Sequence, residues 1–283
     1  MSHPLLTAIK SNKPAFGAWI TLPGVFNLRT VAQASPHLSW VLVDCEHGLT
    51  SLVPGAAEAM QTLAGVGREN VDAPSAIVRI PATGFSSAGG TGMGWQIKYA
   101  LDAGARGILV PMVGSEEKAR EIAAEARFPP IGRRGFGSPF TNGTWGISPG
   151  DYLGSANESV VVMVQIETKE GVENMESIIK VDGIDALFIG PYDLSISLGF
   201  PPPSPDPHPE VEKVIQKILG VAHAAQKKCA IYCTSGSQSA LRAKQGFDII
   251  SVTTDVGALS EAIAKNLAEA AGVGQEKKGF SYS

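Results

Sequence analysis

The sequence points to an α/β chain closed into a TIM-type (β/α)8 barrel, and three observations carry that reading. Eight apolar runs of strand length recur along the 283 residues. The segments between them read as helices. The runs are nearly continuous in Val, Ile and Leu, as expected of parallel strands covered on both faces. A barrel of this kind usually takes about 250 residues. An open doubly wound sheet is the structural alternative, and periodicity alone does not separate the two.

The runs fall at 16–21, 39–44, 76–80, 107–112, 160–167, 186–190, 229–234 and 247–253. After the third, Trp95, Ile97, Tyr99, Ala100 and Leu101 have helical spacing. After the fourth, residues 129–151 are rich in Pro, Gly and Arg and show no helical period; a loop that long is usually functional or mobile. After the sixth, the Pro-rich stretch 201–209 reads as a rigid extended connection, and a helix begins at Glu210 with Val211, Val214, Ile215, Ile218 and Leu219 on one face. The last helical segment, 258–270, carries Ala258, Leu259, Ile263, Leu267 and Ala270 on an apolar face that must be buried, against its own barrel or another subunit. With no repeat, low-complexity tract or linker, the expectation is one barrel domain over 1–273 and a loose polar tail over 274–283.

Composition narrows the function classes. A hydrophobic fraction of 44% supports a large core, and 18% charged residues is low for a disordered chain. A net charge of -4 without a basic cluster argues against nucleic acid as a partner. No apolar run reaches the roughly 20 residues that span a bilayer, so a soluble, cytoplasmic protein is expected, with no membrane partner. Three cysteines read as buried thiols in a reducing compartment.

Glu167 and Asp193 each stand where a strand-like run ends, in Val-Val-Val-Met-Val-Gln-Ile-Glu and Ala-Leu-Phe-Ile-Gly-Pro-Tyr-Asp. Carboxylates on neighbouring strand ends can offer hard oxygen ligands to a divalent cation while leaving its other positions for water and substrate. Asp44, Glu46, His47 and Arg79 fall at the ends of two more runs. One acidic residue so placed is equally a helix cap or a surface ion pair. Four strand ends together point to a site, because barrel active sites lie at the C-terminal ends of the strands. Gln165 shares a face with Glu167, two residues on.

These segments resemble the HpcH/HpaI-type class II pyruvate aldolases over roughly residues 14 to 260. The matching stretches are Phe-Gly at 16–17, Val-Leu-Val-Asp-Cys-Glu-His-Gly at 41–48, Val-Arg-Ile-Pro at 78–81, Ala-Leu-Asp-Ala-Gly-Ala at 100–105, Leu-Val-Pro-Met-Val at 109–113, Arg-Gly at 134–135, Gln-Ile-Glu-Thr at 165–168 and Phe-Ile-Gly-Pro-Tyr-Asp-Leu-Ser at 188–195. The last two are the most specific.

The resemblance implies a barrel of the phosphoenolpyruvate/pyruvate type in which Glu167 and Asp193 hold Mg²⁺ or Mn²⁺, with Co²⁺ or Zn²⁺ as other candidates. The ion acts as a Lewis acid toward the keto group of pyruvate, so that an enolate can form. Arg79 donates to the developing oxyanion. His47 is the acid–base relay, with Asp44 as its orienting partner. Gln165 hydrogen-bonds substrate or a metal water, and backbone amides around Tyr192 and Asp193 hold the pyruvate carboxylate.

The implied reaction is reversible aldol cleavage of a 4-hydroxy-2-oxo acid to pyruvate and an aldehyde. Oxaloacetate decarboxylation, or macrophomate-synthase-like use of the enolate, is the alternative. Homo-oligomers, hexamers among them, are implied as well. The glycine-rich segment 86–94 and a small insertion at 68–72 depart from the family pattern, where loops select the second substrate. Glycines at 89–94 also suggest a nucleotide-binding module, but the full dinucleotide spacing is missing and no phosphate-loop Lys follows. A non-catalytic scaffold predicts loss of a metal or enolate-stabilising residue, and none is lost.

Overall fold

The computed structural model of the chain describes residues 3–67, 72–82 and 92–273. The tail from Gly274, the insertion over 68–71 and the glycine-rich residues 86–91 lie outside the described residues. Eight parallel strands form one closed ring: β1 (Ala15–Ile20), β2 (Trp40–Asp44), β3 (Ser75–Arg79), β4 (Gly107–Val110), β5 (Val161–Ile166), β6 (Ala186–Ile189), β7 (Lys228–Ile231) and β8 (Ile249–Thr254). Ala15 of β1 pairs with Ile249 of β8, which closes the ring and rules out the open sheet.

Helices α1 (Pro4–Lys10), α2 (Val25–Gln33), α3 (Ala57–Ala64), α4 (Gly94–Asp102), α5 (Glu116–Ala126), α6 (Thr141–Trp145), α7 (Pro149–Ser159), α8 (Lys169–Ile179), α9 (Pro191–Ser197), α10 (Pro209–Ala224), α11 (Gly236–Gln245) and α12 (Asp255–Ala270) complete the order.

Strand alternation divides the core in two. Trp19, Trp40, Leu42, Ile77, Leu109, Met163 and Phe188 pack together inside the ring. Their neighbours Val41, Val43, Val78, Ile108, Val110, Val162 and Val164 pack outward against helix residues such as Met60, Ile97, Ile122, Ile178 and Ile215. Apolar residues are needed on both faces, which is why the runs read as continuous. The same period of two carries the inner face upward from Leu42 to Asp44, from Ile77 to Arg79, and from Met163 through Gln165 to Glu167. Four polar side chains thus stand on the lumen side of the C-terminal rim. Gly17 makes room for Trp40: a Cβ there would lie 2.1 Å from the indole.

The base is closed by α1. Leu5 is fully buried in the inner cluster. His3 caps the helix and ties it to three elements: Nδ1 lies 2.8 Å from Ser75 Oγ, and Nε2 lies 3.3 and 3.0 Å from the Arg106 and Ser159 carbonyls. Two carbonyl acceptors require the proton on Nε2, which leaves Nδ1 to accept from Ser75.

Two expectations change, and an alternative left open for α12 narrows. The stretch 129–151 holds α6 and the start of α7. Its helix signals were local: Ser148 accepts the Asp151 amide, Pro149 opens α7, and Gly146 ends α6 at φ +66. The fourth strand stops at Val110, because Pro111 has no N–H and Met112 turns to φ +55. The apolar face of α12 does not pack on its own barrel; Leu259, Ile263 and Leu267 are exposed.

Candidate active site

The β2–β3 register places Asp44 opposite Arg79. The guanidinium grips the carboxylate from Nε and Nη2 at 2.8 and 2.6 Å, and its Nη1 reaches Glu46 Oε2 at 3.0 Å. Trp19 adds its indole N–H to Asp44 Oδ2 at 3.1 Å and lays its ring 4.9 Å from the Arg79 Cζ. Burial alone would raise the Asp44 carboxyl, but Arg79 and the Trp19 N–H hold it below the ordinary value. Burial opposes the Arg79 charge, yet Asp44, Glu46 and Glu167 raise its pKa further. The arginine is therefore fixed and charged, with two N–H groups beyond those three contacts.

The expected orientation of the His47 imidazole by Asp44 is not what the geometry gives. Asp44 Oδ1 accepts the His47 backbone N–H at 3.3 Å, and its side chain is committed to Arg79. The imidazole stands at the rim, 65% exposed, with Nε2 3.7 Å from Glu46 Oε2. The turn wraps its amides around Asp44 and brings the ring beside Glu46 instead.

On the opposite side of the lumen, Glu167 is buried. Its Oε1 accepts the Met112 amide at 2.8 Å, and its Oε2 accepts from Gln165 Nε2 at 2.6 Å. Burial pushes the Glu167 carboxyl up to about 7, and nearby Asp193 and Glu46 push the same way against the Met112 N–H and Arg79. Asp193 lies in the first turn of α9, exposed, with Tyr192 beside it. Tyr192 meets Tyr232 edge to face at 6.2 Å. Gly190 stands against the Glu167–Gln165 pair: a Cβ there would come 2.5 Å from Glu167 Oε2 and 2.7 Å from Gln165 Nε2.

Among the described residues no three His, Cys, Asp or Glu side chains converge as a complete metal cage. The donor set nevertheless fits a hard cation that keeps several waters: two carboxylates, one of them buried in a negative field, and the buried Gln165 Oε1, which has no hydrogen-bond partner. A divalent charge would offset the repulsion that raises Glu167.

Sequence reasoning assigned no role to Glu46, Trp19, Gly190 or Met112. The first two were legible in principle: Glu46 adjoins the Asp44 turn, and Trp19 is a lumen-facing indole that must find an acceptor. Gly190 and Met112 act through backbone placement, for which a single sequence carries little signal.

Fold and site together define a class: a parallel barrel whose C-terminal mouth sets an acidic pair against a buried, carboxylate-anchored arginine. The HpcH/HpaI aldolase/citrate lyase family model matches residues 28–262, and the chain belongs to that family. A 4-hydroxy-2-oxo-heptane-1,7-dioate aldolase of Salmonella dublin is 34% identical, with 96% of this chain and 100% of that protein aligned. Among solved structures, an HpcH/HpaI aldolase/citrate lyase family protein from Burkholderia cenocepacia J2315 superposes with a TM-score of 0.81 at 27% identity, covering 95% of this chain and 100% of that one. Macrophomate synthase superposes with a TM-score of 0.75 at 26% identity, covering 95% and 88%.

Proposed function

We propose that this protein is a divalent-metal-dependent carbon–carbon lyase that generates the enolate of pyruvate, cleaving a 4-hydroxy-2-oxo acid to pyruvate and an aldehyde, reversibly. The observation that carries the reading is the buried Glu167 carboxylate, with the Asp193 charge near enough to act on it, in a lumen that also holds the fixed Arg79. Glu167 and Asp193 would hold the cation, Mg²⁺ or Mn²⁺ by its hard-oxygen preference, with Co²⁺ or Zn²⁺ as substitutes. The bound cation supplies Lewis-acid withdrawal of charge from the keto group.

The remaining roles belong to the chain's own atoms. Arg79, held by Asp44 and Glu46, directs its other N–H groups at the oxygen that gains charge, an arrangement that needs no reorganisation during reaction. Gln165 keeps its amide on Glu167 and presents Oε1 to a water or a substrate hydroxyl. The Tyr192 and Asp193 amides, in the first turn of α9, take the substrate carboxylate. His47, at the exposed rim, carries protons between the site and solvent. Asp44 is the anchor of Arg79.

The similarity to macrophomate synthase supports a second fate for the same enolate, formed by decarboxylation of oxaloacetate. The exposed Leu259, Ile263 and Leu267 on α12 support a homo-oligomer, a hexamer by the family resemblance. No described helix is long and apolar enough to cross a membrane, and Cys45, Cys229 and Cys233 are buried free thiols, which supports a cytoplasmic setting.

The test is exchange of pyruvate methyl protons in heavy water, followed by NMR with Mg²⁺ or Mn²⁺ and again after chelation. Metal-dependent exchange is expected. Its absence with every divalent ion would overturn the enolate reading.

A further inference from the structure

The residue that ends β4 has an unusual backbone. Met112 sits at φ +55, a left-handed conformation that residues with a long side chain rarely adopt. Both polar groups of its backbone are engaged: the N–H donates to Glu167 Oε1 at 2.8 Å, and the carbonyl accepts from Lys118 Nζ at 3.0 Å. One peptide segment therefore links a lysine on α5 to the buried carboxylate of the site.

Helix stability does not account for Lys118. It lies in the first turn of α5, after Glu116 and Glu117, where the helix field favours negative charge. Its backbone N–H is capped by Ser115 Oγ at 3.2 Å, so the side chain has no capping duty. The ammonium is partly buried and faces Glu121 on its own helix, Glu170 on α8, and Glu167 and Glu46 across the mouth. Beside it, the backbone at Gly114 is pressed against Glu170, with room for no Cβ. The ammonium donates here to a carbonyl, and that carbonyl belongs to the strained residue.

We propose that Lys118 is a positioning residue for the carboxylate pair: its ammonium holds the Met112 carbonyl, keeps that peptide in its left-handed turn, and so keeps the Met112 N–H on Glu167 Oε1. With Oε1 fixed by a rigid donor, the Glu167 carboxylate presents a single orientation of Oε2, toward Gln165. This role rests on the reading of Glu167 as a metal ligand.

The experiment measures Mn²⁺ affinity of the full-length protein by electron paramagnetic resonance without substrate, alongside kcat and KM for pyruvate proton exchange. Lys118→Met is expected to weaken Mn²⁺ about tenfold, the usual scale for a partner one step removed from a ligand, and to lower kcat more than it raises KM. Lys118→Arg, which keeps a donor, restores most of both. Lys118→Gln gives an independent reading should the Met variant fold poorly.

The decisive comparison uses Met112→Gly. Glycine takes the left-handed turn without strain, so Lys118→Met in that background is expected to cost much less than it does alone. Wild-type Mn²⁺ affinity in Lys118→Met would overturn the role. So would a loss of the same size in the Met112→Gly background, since the lysine would then not act through the Met112 turn. If Glu167→Gln itself leaves Mn²⁺ affinity unchanged, it is the ligand reading that falls, a result distinct from either Lys118 outcome.

Discussion

Arg79 and Asp44 form a two-point ion pair across neighbouring strands, on the lumen side, with Nε to Oδ1 at 2.8 Å and Nη2 to Oδ2 at 2.6 Å. They are register partners, so the sheet itself sets their approach. Both side chains are buried. A fork-on-carboxylate pair fixes the plane of the guanidinium as well as its position, and that plane determines where the remaining N–H groups of Arg79 point.

Asp44→Asn should therefore damage both stability and chemistry. Removing one partner of a buried pair costs roughly 3–5 kcal/mol, because the other charge is left uncompensated. Urea unfolding should show that loss, and pyruvate proton exchange should slow sharply. Arg79→Lys keeps the charge but not the fork, and it should fold while losing rate. Wild-type stability and rate in Asp44→Asn would remove the anchoring role.

Gly190→Ala tests the space beside the Glu167 carboxylate. The added methyl would meet Glu167 Oε2 at 2.5 Å and Gln165 Nε2 at 2.7 Å. The expected result is a folded barrel whose metal affinity falls by about 10–100-fold, measured by titration calorimetry. Glu167→Gln and Asp193→Asn should each abolish metal-dependent turnover. Unchanged affinity in Gly190→Ala would mean that the cation binds elsewhere.

Acid should loosen the base of the barrel through His3. Burial, with the Arg106 charge acting the same way, pulls its pKa from 6.5 down to about 4. Between those values the unfolded chain binds a proton that the folded chain refuses, so stability falls as pH drops from about 6.5 toward about 4. The full span corresponds to on the order of 3 kcal/mol. His3→Gln, which cannot titrate, should flatten that part of the stability–pH curve in urea melts. An equally steep curve in the variant would assign the acid sensitivity to other groups.

Leu259→Glu combined with Ile263→Glu puts two charges on the exposed apolar face of α12. Sedimentation velocity should show the wild type as an oligomer and the double variant as smaller species, with the barrel still folded. A monomeric wild type would end the assembly reading.

Much of the fold was legible because burying both faces of a strand demands a run of apolar residues, and eight such runs needed only ring closure to become a barrel. Closure was favoured by the count of eight alone: whether β8 hydrogen-bonds to β1 is a long-range fact that no local pattern encodes. Within the site, the strand-end position of Asp44, Arg79, Gln165 and Glu167 followed from counting by twos. What those residues hold on to did not follow. Proximity in sequence suggested that Asp44 serves His47, whereas strand register gives it to Arg79. The helices within 129–151 were missed because their start and stop signals, Ser148, Pro149 and Gly146, outweigh a weak apolar period.

Trp19 touches both members of the central ion pair, donating to Asp44 and lying under the Arg79 charge. Of the other three indoles, Trp40 and Trp145 are buried in other surroundings and Trp95 lies half exposed on α4. Indole emission shifts with the charges beside the ring, so Trp19 would serve as an optical reporter at the proposed site. A ligand entering the lumen beside Arg79 is expected to change tryptophan fluorescence, with no label added.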